Sequence, residues 1–216
     1  MRTEELIVIL AAGPRAPSRS AVAGRLGWGV AFSVVAAVLT LAFVVPGGIP
    51  VHALSARLGT TVFWIKVALP LSITITALCV ACRLSQPGVR VGLAWQALLA
   101  PFVVVWIVAL TVLLAAPADS RGALIFGHTW RACTLNIALL SIPALFALMR
   151  AMRRLAPTRP ALAGAATGLL AGAIGALTYC LRCPEMEAPF WATWYLLGMT
   201  APTLAGALLG RRILEW

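Results

Sequence analysis

Six apolar runs, each close to the length that a helix needs to cross a membrane, dominate the hydrophobic pattern of the chain. A helix rises about 1.5 Å per residue, so roughly 20 apolar residues cover the hydrocarbon core of a bilayer. The pattern therefore predicts an all-α, polytopic membrane protein with six transmembrane helices. The predicted spans lie at about residues 27–45, 61–82, 93–115, 132–150, 161–181 and 190–210.

The first 26 residues have a different pattern. Leu6, Ile9 and Leu10 lie on one face at helical spacing, and a Pro/Ser/Arg-rich stretch follows. This predicts a cytoplasmic amphipathic helix on a tether over residues 1–26, ahead of a six-helix transmembrane domain over residues 27–216. The short helix has two interpretations, because such a helix either lies on the lipid surface or docks into a groove of a partner.

Composition supports the membrane assignment. Hydrophobic residues make up 62% of the chain and charged residues only 11%, which excludes an ordinary soluble domain. The net charge of +11 would suggest nucleic-acid binding in a soluble protein. Here the arginines cluster between apolar runs, where they set the orientation in the membrane. We therefore expect no direct contact with nucleic acid.

The arginines divide unequally between the two sides of the predicted bundle, and the richer side is expected to be cytoplasmic. Both termini then lie in the cytoplasm, and the loops 116–131 and 182–189 face outward. The cytoplasmic set is Arg2, Arg15, Arg19, Arg25, Arg83, Arg90, Arg150, Arg153, Arg154, Arg159, Arg211 and Arg212. The outward set is Arg57, Arg121, Arg131 and Arg182.

Three cysteines are predicted to meet at the outer face. The connection 151–160 is short enough to force an antiparallel hairpin of the fourth and fifth spans. Folding the chain about its middle places Cys133 opposite Cys180 or Cys183. The nearby side chains of His128, Arg131 and Arg182 are positive or can become so, and positive charge favours the reactive thiolate. A disulfide, a metal site that includes His128, and oxidant sensing all remain open at this point.

Several further expectations concern residues inside the spans. Cys79 and Cys82 lie at the opposite membrane face and are predicted to be packing residues rather than part of a zinc site. Lys66 is predicted to extend toward the interface behind an aromatic belt, and Asn136 to hydrogen-bond between helices. A stripe of small residues in the fifth span predicts close packing of another backbone. Its members are Gly164, Gly168, Gly172 and Ala176.

The inventory of reactive groups argues against catalysis. His52 and His128 are the only histidines, and no hydrolase, metalloprotease or phosphate-binding motif occurs. We therefore predict a protein that is not an enzyme and needs no cofactor. One alternative is a membrane thiol oxidoreductase with Cys180 and Cys183 as the redox pair and Cys133 as a resolving thiol. Another is a small transporter or scaffold, although the apolar runs hold no acidic residues.

Several motifs, in this order and over nearly the full length, give the chain a family resemblance. It resembles the NrsF-type membrane anti-sigma factors. The motifs are WRACTLNI at residues 130–137, RRLAPTRP at 153–160, CPE at 183–185, WYLLGM at 194–199, the triplet Phe63, Trp64 and Lys66, and MRTEELI at 1–7.

The resemblance implies a bacterial inner-membrane protein that holds an extracytoplasmic-function sigma factor and releases it under stress. It also implies that two cysteines are needed for the response, and by motif these are Cys133 and Cys183. One departure is Arg182, at a position where the family often carries histidine, which disfavours a histidine-assisted metal site. Sigma docking is then expected at the cytoplasmic face, on Leu6, Ile9, Leu10, Arg83, Arg90, Arg150, Arg153 and Arg154.

Overall fold

The computed structural model describes residues 19–86, 88–89, 91–155 and 157–215, and every regular element in those ranges is helical. The predicted all-α class is confirmed. The elements are α1 (Arg19–Phe43), α2 (Val51–Leu58), α3 (Thr61–Leu84), α4 (Ala94–Ala115), α5 (Ala118–Phe126), α6 (Trp130–Arg153), α7 (Pro160–Tyr179), α8 (Ala188–Phe190), a π-helical turn (Trp191–Tyr195) and α9 (Leu196–Ile213).

Five stretches of the described chain are long and apolar enough to cross a membrane, and they correspond to the first five predicted spans. The helix α1 begins at Arg19, earlier than the predicted start at residue 27. The sixth predicted span is helical, since α8, the π-helical turn and α9 follow one another directly. The amphipathic helix with Leu6, Ile9 and Leu10 lies outside the described residues, and so does Arg90.

The helix α7 is the most buried of the five long helices, and it packs against α9, α6 and α3. Its small-residue stripe lies directly on the backbone of α9. A Cβ atom at Gly164 would collide with the carbonyl oxygen of Gly206, and one at Gly168 with that of Pro202. The prediction of close backbone packing is therefore correct, and the partner is the last helix.

The hairpin of α6 and α7 uses a different glycine, which lies off the predicted stripe. A Cβ atom at Gly175 would lie 2.9 Å from the carbonyl oxygen of Ile137 and 3.1 Å from the amide nitrogen of Ser141. Glycines on two sides of α7 thus let two neighbouring helices approach closely. This packing fixes the height of the cysteine-bearing ends of α6 and α7 relative to each other.

The bundle has two chemically different ends. The thiol end comprises α2, α5, the start of α6 and the loop 180–187, which carries Cys180 and Cys183. The arginine end comprises the start of α1, the loop 85–93, the end of α6, the loop after it and the end of α9. Its described arginines are Arg25, Arg83, Arg150, Arg153, Arg154, Arg159, Arg211 and Arg212.

Candidate functional site

The structure brings three cysteines together in the interior of the thiol end. Cys133 lies in the first turn of α6, Cys180 directly follows α7, and Cys183 lies in the loop after it. All three side chains are fully buried in one apolar cluster. The thiol of Cys133 lies beside the sulfur of Cys183. All five cysteines of the chain are free thiols in this arrangement.

Lys66 holds the loop that carries Cys183, which corrects the prediction of a lysine extending toward lipid. Its side chain is completely buried, and Nζ donates to the carbonyl oxygens of Cys183 and Glu185, both at 2.8 Å. The ammonium also lies 5.6 Å from the ring centroid of Tyr195. Carbonyl oxygens and an aromatic face compensate part of the cost of burying the charge. Lys66 therefore holds the loop 180–187, here called the cysteine loop, from the interior of the bundle.

Arg57, in the short helix α2, binds the same loop from a second direction. Its guanidinium donates to the carbonyl oxygens of Arg182 and Cys183, at 3.2 and 3.4 Å. Trp191 adds a third donor, since its indole N–H lies 3.2 Å from the carbonyl oxygen of Glu185. The loop is thus fixed through its backbone, by side chains from three separate elements.

The carboxylate of Glu185 connects the cysteine loop to the beginning of α6. Its Oε1 accepts hydrogen bonds from the backbone N–H of His128 at 2.8 Å and the hydroxyl of Thr129 at 3.3 Å. A negative charge at a helix N-terminus is favourable because the peptide dipoles point their positive ends there. Gly127 makes room for it, since a Cβ atom there would lie 2.8 Å from the carboxylate. The carboxylate therefore links the position of the loop to the start of α6.

Tyr195 closes the thiol cluster on the side of the π-helical turn. Its hydroxyl is the one buried side-chain oxygen or nitrogen in the described residues that lacks a hydrogen-bond partner. It faces the sulfurs of Cys180 and Cys183. A thiolate accepts hydrogen bonds far better than a neutral thiol. Ionisation of Cys183 would give this hydroxyl the acceptor that it lacks.

The surroundings of Cys183 favour its thiolate. The neighbouring Cys133 thiol, which can donate to a Cys183 thiolate, lowers the pKa of Cys183, and the Lys66 ammonium lowers it further, against an opposing contribution from burial. Charge at the thiol was expected from His128, Arg131 and Arg182, whereas the charge that faces it belongs to Lys66. A lowered pKa makes Cys183 the more nucleophilic member of the pair at neutral pH.

The three residues expected to supply that charge are engaged elsewhere. His128 is exposed, and its backbone N–H rather than its ring contacts Glu185. The guanidinium of Arg131 is exposed and stacks 4.8 Å from the ring centroid of Trp130. Arg182 donates to the carbonyl oxygen of Gly48 at 2.8 Å and so fixes the chain after α1.

Metal coordination by a larger set of ligands finds no basis in the described part of the chain. No group of three or more His, Cys, Asp or Glu side chains there lies close enough together to hold a metal ion. Cys82 packs against the core near the arginine end, as predicted, whereas Cys79 is exposed on the surface of the bundle, so the prediction of a packing residue is wrong for Cys79. The side chain of Asn136 lies near Tyr179 of α7, and its hydrogen bond between helices stays a prediction.

The predicted docking arginines lie together at the arginine end. Arg150, Arg153 and Arg154 are exposed at the end of α6. Arg83 is exposed as well, and its guanidinium donates to the carbonyl oxygen of Val91 at 3.1 Å, which fixes the loop 85–93. This face carries exposed positive charge, about one helix length away from the thiols.

Sequence reasoning missed the groups that position the cysteine loop, namely Lys66, Arg57, Glu185 and Tyr195. One signal was available for Lys66, because it is the single lysine of the chain and lies within an apolar run. Such a charge within a span is usually buried against protein groups. Nothing in the sequence pattern indicated that the protein groups here are backbone carbonyls.

Comparison with known proteins gives a consistent result along the whole chain. A family described as "Negative regulator of sigma F" matches residues 10–216. The "Probable anti-sigma-F factor NrsF" of Azospira oryzae is 44% identical over 222 aligned positions, which cover 100% of both chains. The "Anti-sigma-F factor NrsF" of Caulobacter vibrioides is 34% identical over 230 positions, again with 100% of both covered.

No solved structure matches the chain. The resemblance read from the sequence is confirmed by the full-length matches, and the chain belongs to the family of negative regulators of sigma F.

Proposed function

We propose that the protein is an anti-sigma factor that sequesters an extracytoplasmic-function sigma factor at the bacterial inner membrane. In this proposal six helices cross the membrane, both termini are cytoplasmic, and the sigma factor binds the arginine end. Thiol-reactive stress, by an oxidant or a heavy metal, acts on Cys133 and Cys183 at the periplasmic thiol end and releases it. Membership of the family and the names of the two relatives support the sigma-binding part.

The observation that carries the sensing part is the pairing of Cys133 with Cys183 at the start of a helix that ends in arginines. The helix α6 has 24 residues and contains Cys133 in its first turn and Arg150 and Arg153 in its last. At 1.5 Å per residue its ends lie about 36 Å apart. A shift of this helix at the thiol end therefore changes the position of its arginines.

Oxidation of the pair changes the forces on that helix. When the Cys183 thiolate and the Cys133 thiol form a disulfide, two electrons pass to the oxidant and one proton leaves Cys133, while any second proton that the oxidant needs comes from water. The new S–S bond is much shorter than a contact between two separate sulfur atoms, so the cysteine loop is drawn toward α6. Glu185 lies in the same loop, and its bonds at His128 and Thr129 must adjust. A soft metal ion that binds both thiolates would have a similar effect.

The arginine end suits a partner with acidic patches. Arg83, Arg150, Arg153 and Arg154 are exposed, and their positive charge favours contacts with acidic side chains of a partner. Leu6, Ile9 and Leu10 would add apolar anchors from the N-terminal segment. Binding there would cover the sigma factor's polymerase-binding surface.

The alternative, a thiol oxidoreductase, is less well supported by the geometry. Exchange with a thiol substrate requires an accessible sulfur atom. Cys133, Cys180 and Cys183 are all fully buried. A small oxidant or a metal ion reaches such a site after a slight opening of the loop, whereas a protein thiol does not.

The decisive experiment is co-purification of the host's sigma factors with the full-length protein from membranes, before and after diamide or cadmium. Wild type should retain a sigma factor and release it on treatment. Cys133→Ser and Cys183→Ser should retain it and fail to release it. Cys79→Ser and Cys82→Ser are matched controls from the other end and should release it normally.

Two results would count against the proposal. Retention of no sigma factor under any condition would remove the anti-sigma function and return attention to thiol exchange. Normal release by both Cys133→Ser and Cys183→Ser would leave sigma binding intact and remove the thiol sensor. A third variant lacking residues 1–12 tests the N-terminal anchors, since full retention without them would exclude that segment from the docking surface.

A further inference from the structure

Two adjoining grooves run along the side of the bundle at the arginine end, between α1 and α6. The first has a volume of about 400 Å³ and the second about 740 Å³. They share Phe32, Ala147, Arg150 and Arg154 in their linings, so they form one continuous depression. This size lies within the range of small-molecule sites.

The grooves are strongly basic at one end. Arg150 and Arg154 line both grooves. Arg25 lines only the first groove, and Arg153 only the second. None of the described residues in either lining is acidic. Arg25 uses one N–H group, at 3.2 Å from the carbonyl oxygen of Arg154. A guanidinium has five N–H donors, so this contact uses only a small part of the donors of Arg25.

The other end of the grooves is apolar and lies deeper along the helices. On α1, Phe32 is seven residues beyond Arg25, which corresponds to about 10 Å. On α6, Phe146 lies one turn inside Arg150. Phe32 is 63% and Phe146 71% exposed although both belong to helices that are apolar enough to span a membrane. The polarity of the grooves thus changes from basic to apolar along the axis of the bundle.

This gradient decides which occupant fits. A water-soluble partner reaches the arginines but not the apolar part within the spans. An amphiphile with a negative head group and an acyl chain matches both parts. We propose that these grooves form a binding site for an anionic phospholipid, with its phosphate at Arg25, Arg150 and Arg154 and an acyl chain along Phe32 and Phe146. Arginine suits this role because its planar fork donates two parallel hydrogen bonds to a phosphate.

The site shares Arg150 and Arg154 with the proposed sigma-docking surface, but its test needs no sigma factor, so the two proposals can fail separately. The full-length protein is reconstituted in phosphatidylcholine, and brominated phosphatidylglycerol or brominated phosphatidylcholine is added as a quencher of tryptophan fluorescence. Trp28 lines the first groove and is 80% exposed, so it reports occupancy. Subtraction of the Trp28→Phe signal isolates its contribution from that of the other tryptophans.

In the wild type, phosphatidylglycerol should quench Trp28 at about tenfold lower mole fraction than phosphatidylcholine, because the arginines that line the grooves contact the anionic head group directly. The variant Arg25→Gln/Arg150→Gln/Arg154→Gln should lose this preference. The matched control Arg159→Gln/Arg211→Gln/Arg212→Gln removes the same charge from the same end without lining either groove, and should stay within about twofold of wild type. Equal losses in both variants would show mere surface attraction and overturn the site.

A second variant addresses folding and shape. Ala147→Phe fills the shared part of the grooves and keeps every arginine, so it should also weaken the preference. Retention of the full preference in Ala147→Phe would overturn the proposal. Deletion of residues 1–12 should leave quenching unchanged, and a clear gain would mean that this segment, with Glu4 and Glu5, occupies the grooves instead. Inorganic phosphate should not compete, because a free anion lacks the acyl chain.

Discussion

The two ends of the bundle handle positive charge in opposite ways. At the thiol end, Lys66 is completely buried and its hydrogen bonds go to carbonyl oxygens of one loop. At the arginine end, Arg150, Arg153 and Arg154 are exposed beside open grooves. A buried charge holds its surroundings in one arrangement, whereas exposed charges remain available to partners and are screened by salt. The thiol end therefore fixes the local conformation, whereas the arginine end exposes charged side chains to its surroundings.

Replacing Lys66 by methionine should have the largest effect and tests whether the buried charge organises the thiol end. Lys66→Met removes two short hydrogen bonds from a charged donor and leaves the carbonyl oxygens of Cys183 and Glu185 with only the longer bonds from Arg57 and Trp191, at a cost of about 2 to 6 kcal/mol in unfolding free energy. The matched change at the other end, Arg83→Met, removes one exposed hydrogen bond and should cost about 0.5 kcal/mol or less. Unfolding in detergent by graded SDS measures both, and similar losses would contradict the comparison.

Gly127→Ala should follow, because Gly127 has a φ of 50° and a Cβ atom there would overlap the Glu185 carboxylate and the Phe190 ring. Gly92 at the arginine end has nearly the same φ, 48°, and open space around it. Gly92→Ala therefore measures backbone strain alone, about 1 to 3 kcal/mol. Gly127→Ala should cost a further 1 to 3 kcal/mol or so from overpacking. Equal costs in the same SDS assay would show that the Glu185 carboxylate is not tightly packed against Gly127.

Glu185→Gln should have a smaller effect. It keeps an oxygen acceptor for His128 but removes the charge at the start of α6, which should cost about 1 kcal/mol. The control Glu215→Gln neutralises an exposed acid at the arginine end and should change stability by less than about 0.5 kcal/mol. Both are compared by apparent melting temperature. If the two variants are indistinguishable, the carboxylate does not hold α6.

The smallest effect is a pH dependence at Cys183. Its lowered pKa means that ionisation stabilises the folded state fully above the unfolded value of about 8.5, and this contribution disappears as pH falls through the folded pKa. The difference in melting temperature between wild type and Cys183→Ser should therefore shrink from pH 9 toward pH 5. Cys82→Ser, near the arginine end, provides the baseline. A difference that is constant with pH would mean that Cys183 stays neutral.

Sequence reasoning placed the cysteines correctly because that step needed only helix lengths and a short connection. The loop 151–160 forces α6 and α7 into a hairpin, and counting outward from it brings Cys133 to Cys180 and Cys183. The glycine stripe was more ambiguous. A periodic pattern identifies the face of α7 that packs closely, but not the neighbour it faces. That neighbour is α9, while Gly175 serves α6.

The groups that position the cysteine loop could not be predicted from the sequence, for a physical reason. The partners of Lys66 and Arg57 are backbone carbonyl oxygens, and every residue has one, so no residue type marks the acceptor. Glu185 similarly accepts a hydrogen bond from the backbone N–H of His128. From the sequence, the imidazole ring of His128 was the group expected to act, whereas the structure uses its main chain. A contact between two side chains is marked in the sequence by two residue types. A contact between a side chain and the main chain is marked by only one residue type.

The π-helical turn Trp191–Tyr195 has a consequence for how the last helical segment can change. A π-helical turn holds more residues than an α-helical one, and so shifts the angular phase of everything after it. Within the turn, Trp191 and Tyr195 pack in the apolar cluster that holds the thiols; after it, Met199, Pro202 and Gly206 lie against α7. The segment therefore satisfies two geometries with two separate phases. Substitutions around the thiols leave the contact between α7 and α9 in register, so the thiol surroundings are free to diverge while the scaffold stays the same.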